Sequence, residues 1–382
     1  MQLARVSRGS AWFLPAIMAG SGLLILAGTF GAEPRAARAA AAQVWSPFVL
    51  VTGLLLVGLV ANDDGVFEWL GSWLTRVSSR GLMVFAASSA LVIVVTALLN
   101  LDTAVAFLTP VMVHVARRRR GDDAPWLYGV LILANAGSLW LPGSNLTNLI
   151  VIGHLHLTGA AFAARIAPAA LGASITAVAV AALLGRRSLT NVRVDDVAAP
   201  PAIRGGVVSI VLVSAATLLL KSAAVPVAAV GLTAVGWHLR RGRVRFAEVL
   251  AVVGPGALVA LFATAVALGT LGRTWSGPSQ VLAHANVVTT AITAGVATVL
   301  VNNLPAAAIL AARVPRHPFA MLIGLNLGPN LAVTGSLAWL LWWRSARSAG
   351  ARPSLRRASR WGAVATVMTM SVALLLLPLG QR

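Results

Sequence analysis

The chain has 382 residues, 58% of them hydrophobic and 10% charged, with a mean hydropathy of +0.85. A water-soluble domain carries about 25% charged residues, and a disordered chain needs low hydrophobicity, so both classes are excluded. The net charge of +20 comes from 30 Lys+Arg against 10 Asp+Glu. The arginines fall in short bursts between apolar runs, as at 117–120, with no basic face interleaved with stacking aromatics. That pattern argues against nucleic acid as a partner and for loops beside an anionic lipid bilayer. The absence of cysteine excludes disulfides, thiolate metal sites and a cysteine nucleophile.

The apolar runs have bilayer-spanning length, which predicts an all-α polytopic membrane protein, multi-pass in the cell membrane. In chain order, simple helices are expected at about 10–32 and 45–61. An apolar stretch at 81–116 is broken by Asn100 and Asp102, and a second at 125–157 is broken around 136–148. Simple helices follow at about 168–185, 206–222, 224–239 and 249–270. Further broken stretches are expected at 281–312 and 319–343, and a last helix at about 361–380. The first apolar stretch is too long for a typical signal-peptide core and reads as a retained helix.

Arginine placement sets the topology. With the N-terminus cytoplasmic and an even number of passes in both 81–116 and 281–312, 22 Lys/Arg fall inside and eight outside. A single pass in each stretch erases that bias, so the positive-inside rule favours hairpins. The arm 103–116 is about 21 Å long, short of a core of about 30 Å, which favours a re-entrant hairpin.

The chain then divides into two repeats of opposite orientation, 1–187 and 206–382, joined by a cytoplasmic linker at 188–205. Each holds one re-entrant hairpin and one interrupted helix. The whole comprises about nine crossing helices and two hairpins. A slide of 191 positions superposes Asn135 on Asn326 and Gly137 on Gly328, and a slide of 201 puts Asp102 on Asn303. Paired, interrupted segments in inverted halves are the mark of a transporter with a midplane site.

The polar residues at the breaks are the candidate site. Asp102 alone among the acids lies inside a membrane stretch, where it is expected to carry a proton or help bind a cation; capping the second hairpin arm is the competing reading. Asn100, Thr103, Ser144, Asn145, Thr147, Asn148, Asn302, Asn303, Asn326, Thr334 and Ser336 supply neutral donors and acceptors for a small polar solute. Turn closure and interhelical hydrogen bonding are the structural alternatives for them. Gly137, Gly143, Gly328 and Gly335 are expected to permit the breaks or close packing. His154 and His156 are two apart and share no helix face, so no metal site is expected. Trp45, Trp126, Trp339, Trp342 and Trp343 flank apolar runs, as an aromatic belt does. No phosphate loop, HExxH or GxSxG is present, so neither an enzyme nor a cofactor is expected.

At these motifs the sequence resembles the ArsB arsenite-efflux family, within the ion transporter superfamily that includes dicarboxylate symporters and some Na+/H+ antiporters. Gly65-Val-Phe-Glu68-Trp69 is similar to that family's aromatic-Glu-Trp element. Asp102-Thr-Ala-Val-Ala-Phe-Leu-Thr109-Pro110 resembles its first hairpin tip, and Ser144-Asn145-Leu-Thr-Asn148 its Ser-Asn-Leu-x-Asn signature. Asn302-Asn303-Leu-Pro305, Leu327-Gly328-Pro329 and Gly335-Ser336-Leu337 resemble the second-half motifs. The chain departs from the family pattern where Leu101 precedes Asp102 and where Asn326-Leu-Gly-Pro-Asn330 replaces an Asp-Leu-Gly-Pro-Lys run. The resemblance implies proton-coupled extrusion of arsenite or antimonite by alternating access. Na+-coupled transport of a dicarboxylate or oxyanion, and Na+/H+ antiport, are the alternatives within the superfamily. Its implied partners are the bilayer, a small inorganic solute, H+ or Na+ as coupling ion, a second copy as a homodimer, and a soluble ATPase subunit.

Overall fold

Apolar runs without internal hydrogen-bonding partners in lipid can only satisfy their backbone as helices, and the computed structural model is helical throughout. It describes residues 13–78, 80–118, 122–153, 155, 157–190 and 203–381. His154, His156, Arg119, Arg120 and most of the expected linker lie outside the described residues. The helices are α1 (Phe13–Ala32), α2 (Pro34–Asp63), α3 (Val66–Val77), α4 (Gly81–Leu98), α5 (Leu101–Arg118), α6 (Ala124–Gly137), α7 (Leu146–Ile152), α8 (Gly159–Leu184) and α9 (Arg186–Thr190). After the linker come α10 (Gly206–Leu219), α11 (Ala224–Arg240), α12 (Phe246–Val253), α13 (Pro255–Thr274), α14 (Gly277–His284), α15 (Val287–Val301), α16 (Asn303–Leu310), α17 (Pro318–Leu327), α18 (Ala338–Ser348) and α19 (Leu355–Leu376). Among the described residues there is no strand.

Several boundaries differ from the sequence expectation, each for a local reason. The second helix starts at Pro34, not near 45, because Pro34 suits a first-turn position and the alanine run up to Ala42 has the highest helix propensity. The helix that carries Asp102, α5, runs from Leu101 to Arg118, 18 residues or about 27 Å, so length alone no longer favours a re-entrant arm. The 249–270 helix is two, α12 and α13, because Gly254 takes φ 58° and Pro255 opens a new helix. The 281–312 stretch begins with a separate short α14, and the break inside it falls at Asn302, between α15 and α16. Among the described residues, six spans are long and apolar enough to cross a bilayer, and three shorter apolar helices add to them.

The elements are sorted by burial. The apolar window of α1 is 6% buried and that of α2 is 78% buried, so α1 lies at the periphery against α13 while α2 runs through the middle. Every residue of α6 is buried, as is nearly all of α17, so the two interrupted helices are the innermost elements. The packing around them is reciprocal: α4 lies on α6 and α15 on α17, while α16 packs on α7 and α5 on α18. The α15–α17 contact is close enough that Gly328 lies against the Cα of Gly295. Trp126, Trp339 and Trp342 are fully buried and do not belong to an aromatic belt. Two of them meet their indole N–H internally, Trp339 donating to the Pro329 carbonyl at 2.7 Å and Trp342 to the Leu127 carbonyl at 2.7 Å, while Trp126 packs edge-on against Phe85 with its N–H unpartnered. Among the described residues, Trp45, Trp73, Trp237 and Trp275 are the exposed indoles.

Candidate functional site

The break between α6 and α7 frees carbonyls that α6 can no longer use. The Ser144-Asn145-Leu-Thr-Asn148 motif closes it. Ser144 Oγ lies 2.6 Å from the Ser138 carbonyl and 2.5 Å from that of Leu141. Asn148 Nδ2 donates to the same two carbonyls at 2.7 and 3.0 Å. Asn145 Oδ1 accepts from the Thr147 backbone N–H and so caps α7.

The second break crosses the first through side-chain amides. Asn326, near the end of α17, accepts from Asn145 Nδ2 at 2.8 Å and Ser138 Oγ at 2.6 Å through Oδ1. Its Nδ2 donates to Asn148 Oδ1 at 2.7 Å and to the Leu322 carbonyl at 2.8 Å. Beside it, Asn135 Nδ2 donates to Asn330 Oδ1 at 2.8 Å. All six side chains, Asn135, Ser138, Asn145, Asn148, Asn326 and Asn330, are buried. The structure therefore joins Asn145, Asn148 and Asn326, and their polar atoms are spent on each other and on the breaks. Asn135, Ser138 and Asn330 were not among the expected site residues. Asn135 superposes on Asn326, and Gly137 on Gly328, at a slide of 191, which is the sequence signal that pairs the two breaks.

The hairpin tips are built differently. Asn100 Oδ1 accepts the Thr103 N–H at 2.6 Å and is the cap of α5. The capping reading of Asp102 is thereby removed, since the cap is two residues earlier. Asp102 is half-buried in the first turn of α5, and no described residue pairs with its carboxylate. Asn100 Nδ2 and Thr103 Oγ1 are buried without a partner. At the other tip, Asn302 has φ 78°, the single non-glycine positive φ among the described residues. It caps α16 through the Leu304 N–H, and its Nδ2 donates to the Thr334 carbonyl at 3.1 Å. Thr334 in turn donates its hydroxyl to the Val299 carbonyl at 2.7 Å, so Asn302 and Thr334 form one unit. Asn303 is buried beside it. Matching cap to cap pairs Asn100 with Asn302, so the tips correspond one position away from the 201-residue slide. Thr147 Oγ1 and Ser336 Oγ are also buried and unpartnered. A buried polar atom without a partner is where a ligand or water gains most.

Two basins approach this centre. One of about 620 Å³ is lined by Gln43, Pro142, Gly143, Thr217, Lys221 and Arg273 and reaches the α6–α7 break. Arg273 lines it from α13, donating to Gln43 Oε1 at 2.7 Å, so a half-buried cation stands beside one break. The other, about 600 Å³, is lined by Asn62, Glu68, Ala106, Phe107, His114 and Arg117. Ala106 is one helical turn from Asp102. Gln43 and Asn62 lie 19 residues apart on α2, about 28 Å, so the basins open toward opposite ends of the bundle.

The comparisons with known proteins agree with this architecture. The citrate transporter family profile matches residues 4–343. The arsenical pump membrane protein of Yersinia enterocolitica is 24% identical over 334 residues, 78% of each chain. That of Escherichia coli K12 is 23% identical over the same share. An uncharacterised transporter of Mycobacterium tuberculosis is 24% identical over 362 residues, 85% of this chain and 84% of its own. The fold is similar to the crystal structure of the Alcanivorax borkumensis YdaH transporter, which was described as having an unusual topology. The TM-score is 0.57 at 15% identity, covering 93% of this chain and 86% of that one. The chain belongs to the citrate transporter family of multi-pass membrane transporters.

Proposed function

We propose that the protein is a secondary active transporter that exports arsenite or antimonite in exchange for protons by alternating access. The observation that carries the reading is Asp102: a carboxylate at a hairpin tip, without a partner, one turn from a basin open to one end of the bundle. An ionisable group at that position is a functional group by default. Asn100, Thr103, Thr147 and Ser336 add neutral polar atoms that are not used internally. Arsenious acid is a small neutral triol at neutral pH, and amides and hydroxyls suit it. The arsenical pump relatives, similar over 78% of both chains, support the substrate class. In this reading the two halves are inverted repeats, the N-terminus is cytoplasmic, and substrate binds between the hairpin tips and the crossing of α6–α7 with α17.

Arg273 and Lys221 favour a second reading, a Na+-coupled dicarboxylate or oxyanion carrier, because a fixed cation beside the α6–α7 break suits an anion. One experiment separates the two. Everted vesicles carrying the protein are given a proton or a sodium gradient, with arsenite, succinate or citrate. Proton-driven arsenite uptake that is lost in Asp102→Asn is the expected result. Sodium-driven succinate or citrate movement without arsenite uptake would overturn it in favour of the second reading.

A further inference from the structure

Away from the breaks, the end of α2 carries a largely buried ionisable cluster to which the proposed transport mechanism assigns no role. Asp64 and His238 are 2% and 5% exposed, and Asp63 adjoins them. His238 Nδ1 lies 2.9 Å from the Ala234 carbonyl, a contact that requires a proton on Nδ1. Its Nε2 points between two carboxylates, 3.2 Å from Asp64 Oδ1 and 3.8 Å from Asp63 Oδ2. Three acceptor-type atoms therefore converge, and something positive must sit among them.

A proton on Nε2 satisfies only part of the arrangement. One N–H serves one acceptor, and Asp64 is the nearer. Asp63 Oδ2 is buried and has no hydrogen-bond partner. Among the described residues, the Arg243 guanidinium is the cation that pairs with the trio, reaching Asp64 at 3.5 Å from a partly exposed position. A metal ion serves all three atoms at once. The ligand atoms of this trio lie within 4.8 Å of one another. A tetrahedral ion bound at about 2.0–2.1 Å holds its ligands about 3.3–3.4 Å apart, close to the two spacings from Nε2. The Nδ1–H bond to a backbone carbonyl is the usual support of a metal-bound imidazole, since it fixes the tautomer and aims Nε2. A cavity of about 570 Å³ lined by Thr233, Trp237, His238 and Arg243 leaves room for water in a fourth position.

We propose that Asp63, Asp64 and His238 bind one divalent transition cation of the zinc class. One imidazole with two carboxylates suits zinc, cobalt or nickel better than magnesium or calcium, which take oxygen shells. The ion joins the ends of α2 and α11. Because the Asp64 carbonyl accepts the Arg204 N–H at 3.2 Å, it also fixes the residues that lead into α10. This site is independent of what the protein carries.

The test uses the tag-free, full-length chain in detergent, titrated with Zn2+ and Co2+ by calorimetry; the chain has no cysteine to compete. One equivalent per chain is expected, with affinity reduced at least about tenfold in His238→Gln and in Asp63→Asn. Arg243→Ala is expected to tighten binding, because the guanidinium competes for Asp64; a purely ionic cluster predicts no such gain. Absence of saturable binding, or equal binding by wild type and both ligand variants, would overturn the proposal. So would binding lost only on replacing His154 and His156. Should the variants not fold, X-ray absorption of the Co2+-loaded wild type decides: one nitrogen with oxygens is expected, and an all-oxygen or two-nitrogen shell refutes it.

Discussion

Replacing Asn326 by alanine removes the amide that joins the two breaks. Four hydrogen bonds go with it, but their losses are unequal. The Ser138 hydroxyl still reaches the Asn135 carbonyl at 2.7 Å, and the Leu322 carbonyl remains within its helix. Asn145 Nδ2 and Asn148 Oδ1 lose partners across the crossing. Interhelical side-chain hydrogen bonds in membrane proteins contribute about 0.6 kcal/mol on average and about 1.7 at most, so two bonds set a range of about 1.2–3.4 kcal/mol. A loss of about 2 kcal/mol is expected, because both orphaned groups stay buried. Equilibrium unfolding in mixed micelles, monitored by tryptophan fluorescence, measures it. A cycle with Asn148→Ala isolates one bond and should return a coupling of about 0.6–1.7 kcal/mol. A loss below about 0.5 kcal/mol with no coupling to Asn148 would show that the amides do not hold the crossing together, and the reasoning would fail.

Gly362 on α19 faces the Asn330 carbonyl so closely that an added Cβ overlaps it, whereas nothing lies within 4 Å of a Cβ at Gly236. Gly362→Ala is expected to lose about 1–3 kcal/mol by overpacking, and Gly236→Ala, in mid-helix and open space, to gain slightly; thermal unfolding of the two should diverge in sign. At Asn302, where φ is 78°, glycine should be tolerated better than valine by about 1–2 kcal/mol; equal stability of Asn302→Gly and Asn302→Val would count against a strained tip. Trp342→Phe removes one buried hydrogen bond, to the Leu127 carbonyl, and should cost about 1 kcal/mol while leaving the α-helical circular dichroism intact.

The helical class and the breaks near Asn100, 136–148, Asn302 and 328–337 follow from local properties, apolar run length and the polar residues that interrupt it, whereas the breaks at Gly254 and between α14 and α15 were not expected. What partners those polar residues choose is not local. Asn148 and Asn326 are 178 positions apart and Asn135 and Asn330 are 195 apart, and no periodicity reports such pairs. The same holds for Asp64, which reads as an ordinary residue at a helix end until His238, 174 positions later, is brought onto it. The tryptophans illustrate a second limit. Flanking an apolar run is equally compatible with the bilayer surface and with a helix end buried among others, and only the fold decides that Trp339 and Trp342 are inside.

The division between spent and unspent polar atoms carries the functional argument furthest. In the crossing, Ser144, Asn145, Asn148 and Asn326 are saturated by one another and by freed carbonyls, so a solute that displaced them would reopen the breaks. Asn100 and Thr103, which flank Asp102 in the chain, and Thr147 and Ser336, at the breaks, keep buried polar atoms without partners, and in the crossing, among the described residues, only Asn135 Oδ1 and Asn330 Nδ2 do the same. Binding there gains what the fold has left unmade and costs no existing bond. A carrier needs such an asymmetry, since its frame must survive each release of substrate while its site is emptied. Transport should therefore be lost in Thr103→Val or Asp102→Asn with stability little changed, whereas Asn326→Ala should lower stability first; the reverse order would place the site in the crossing instead.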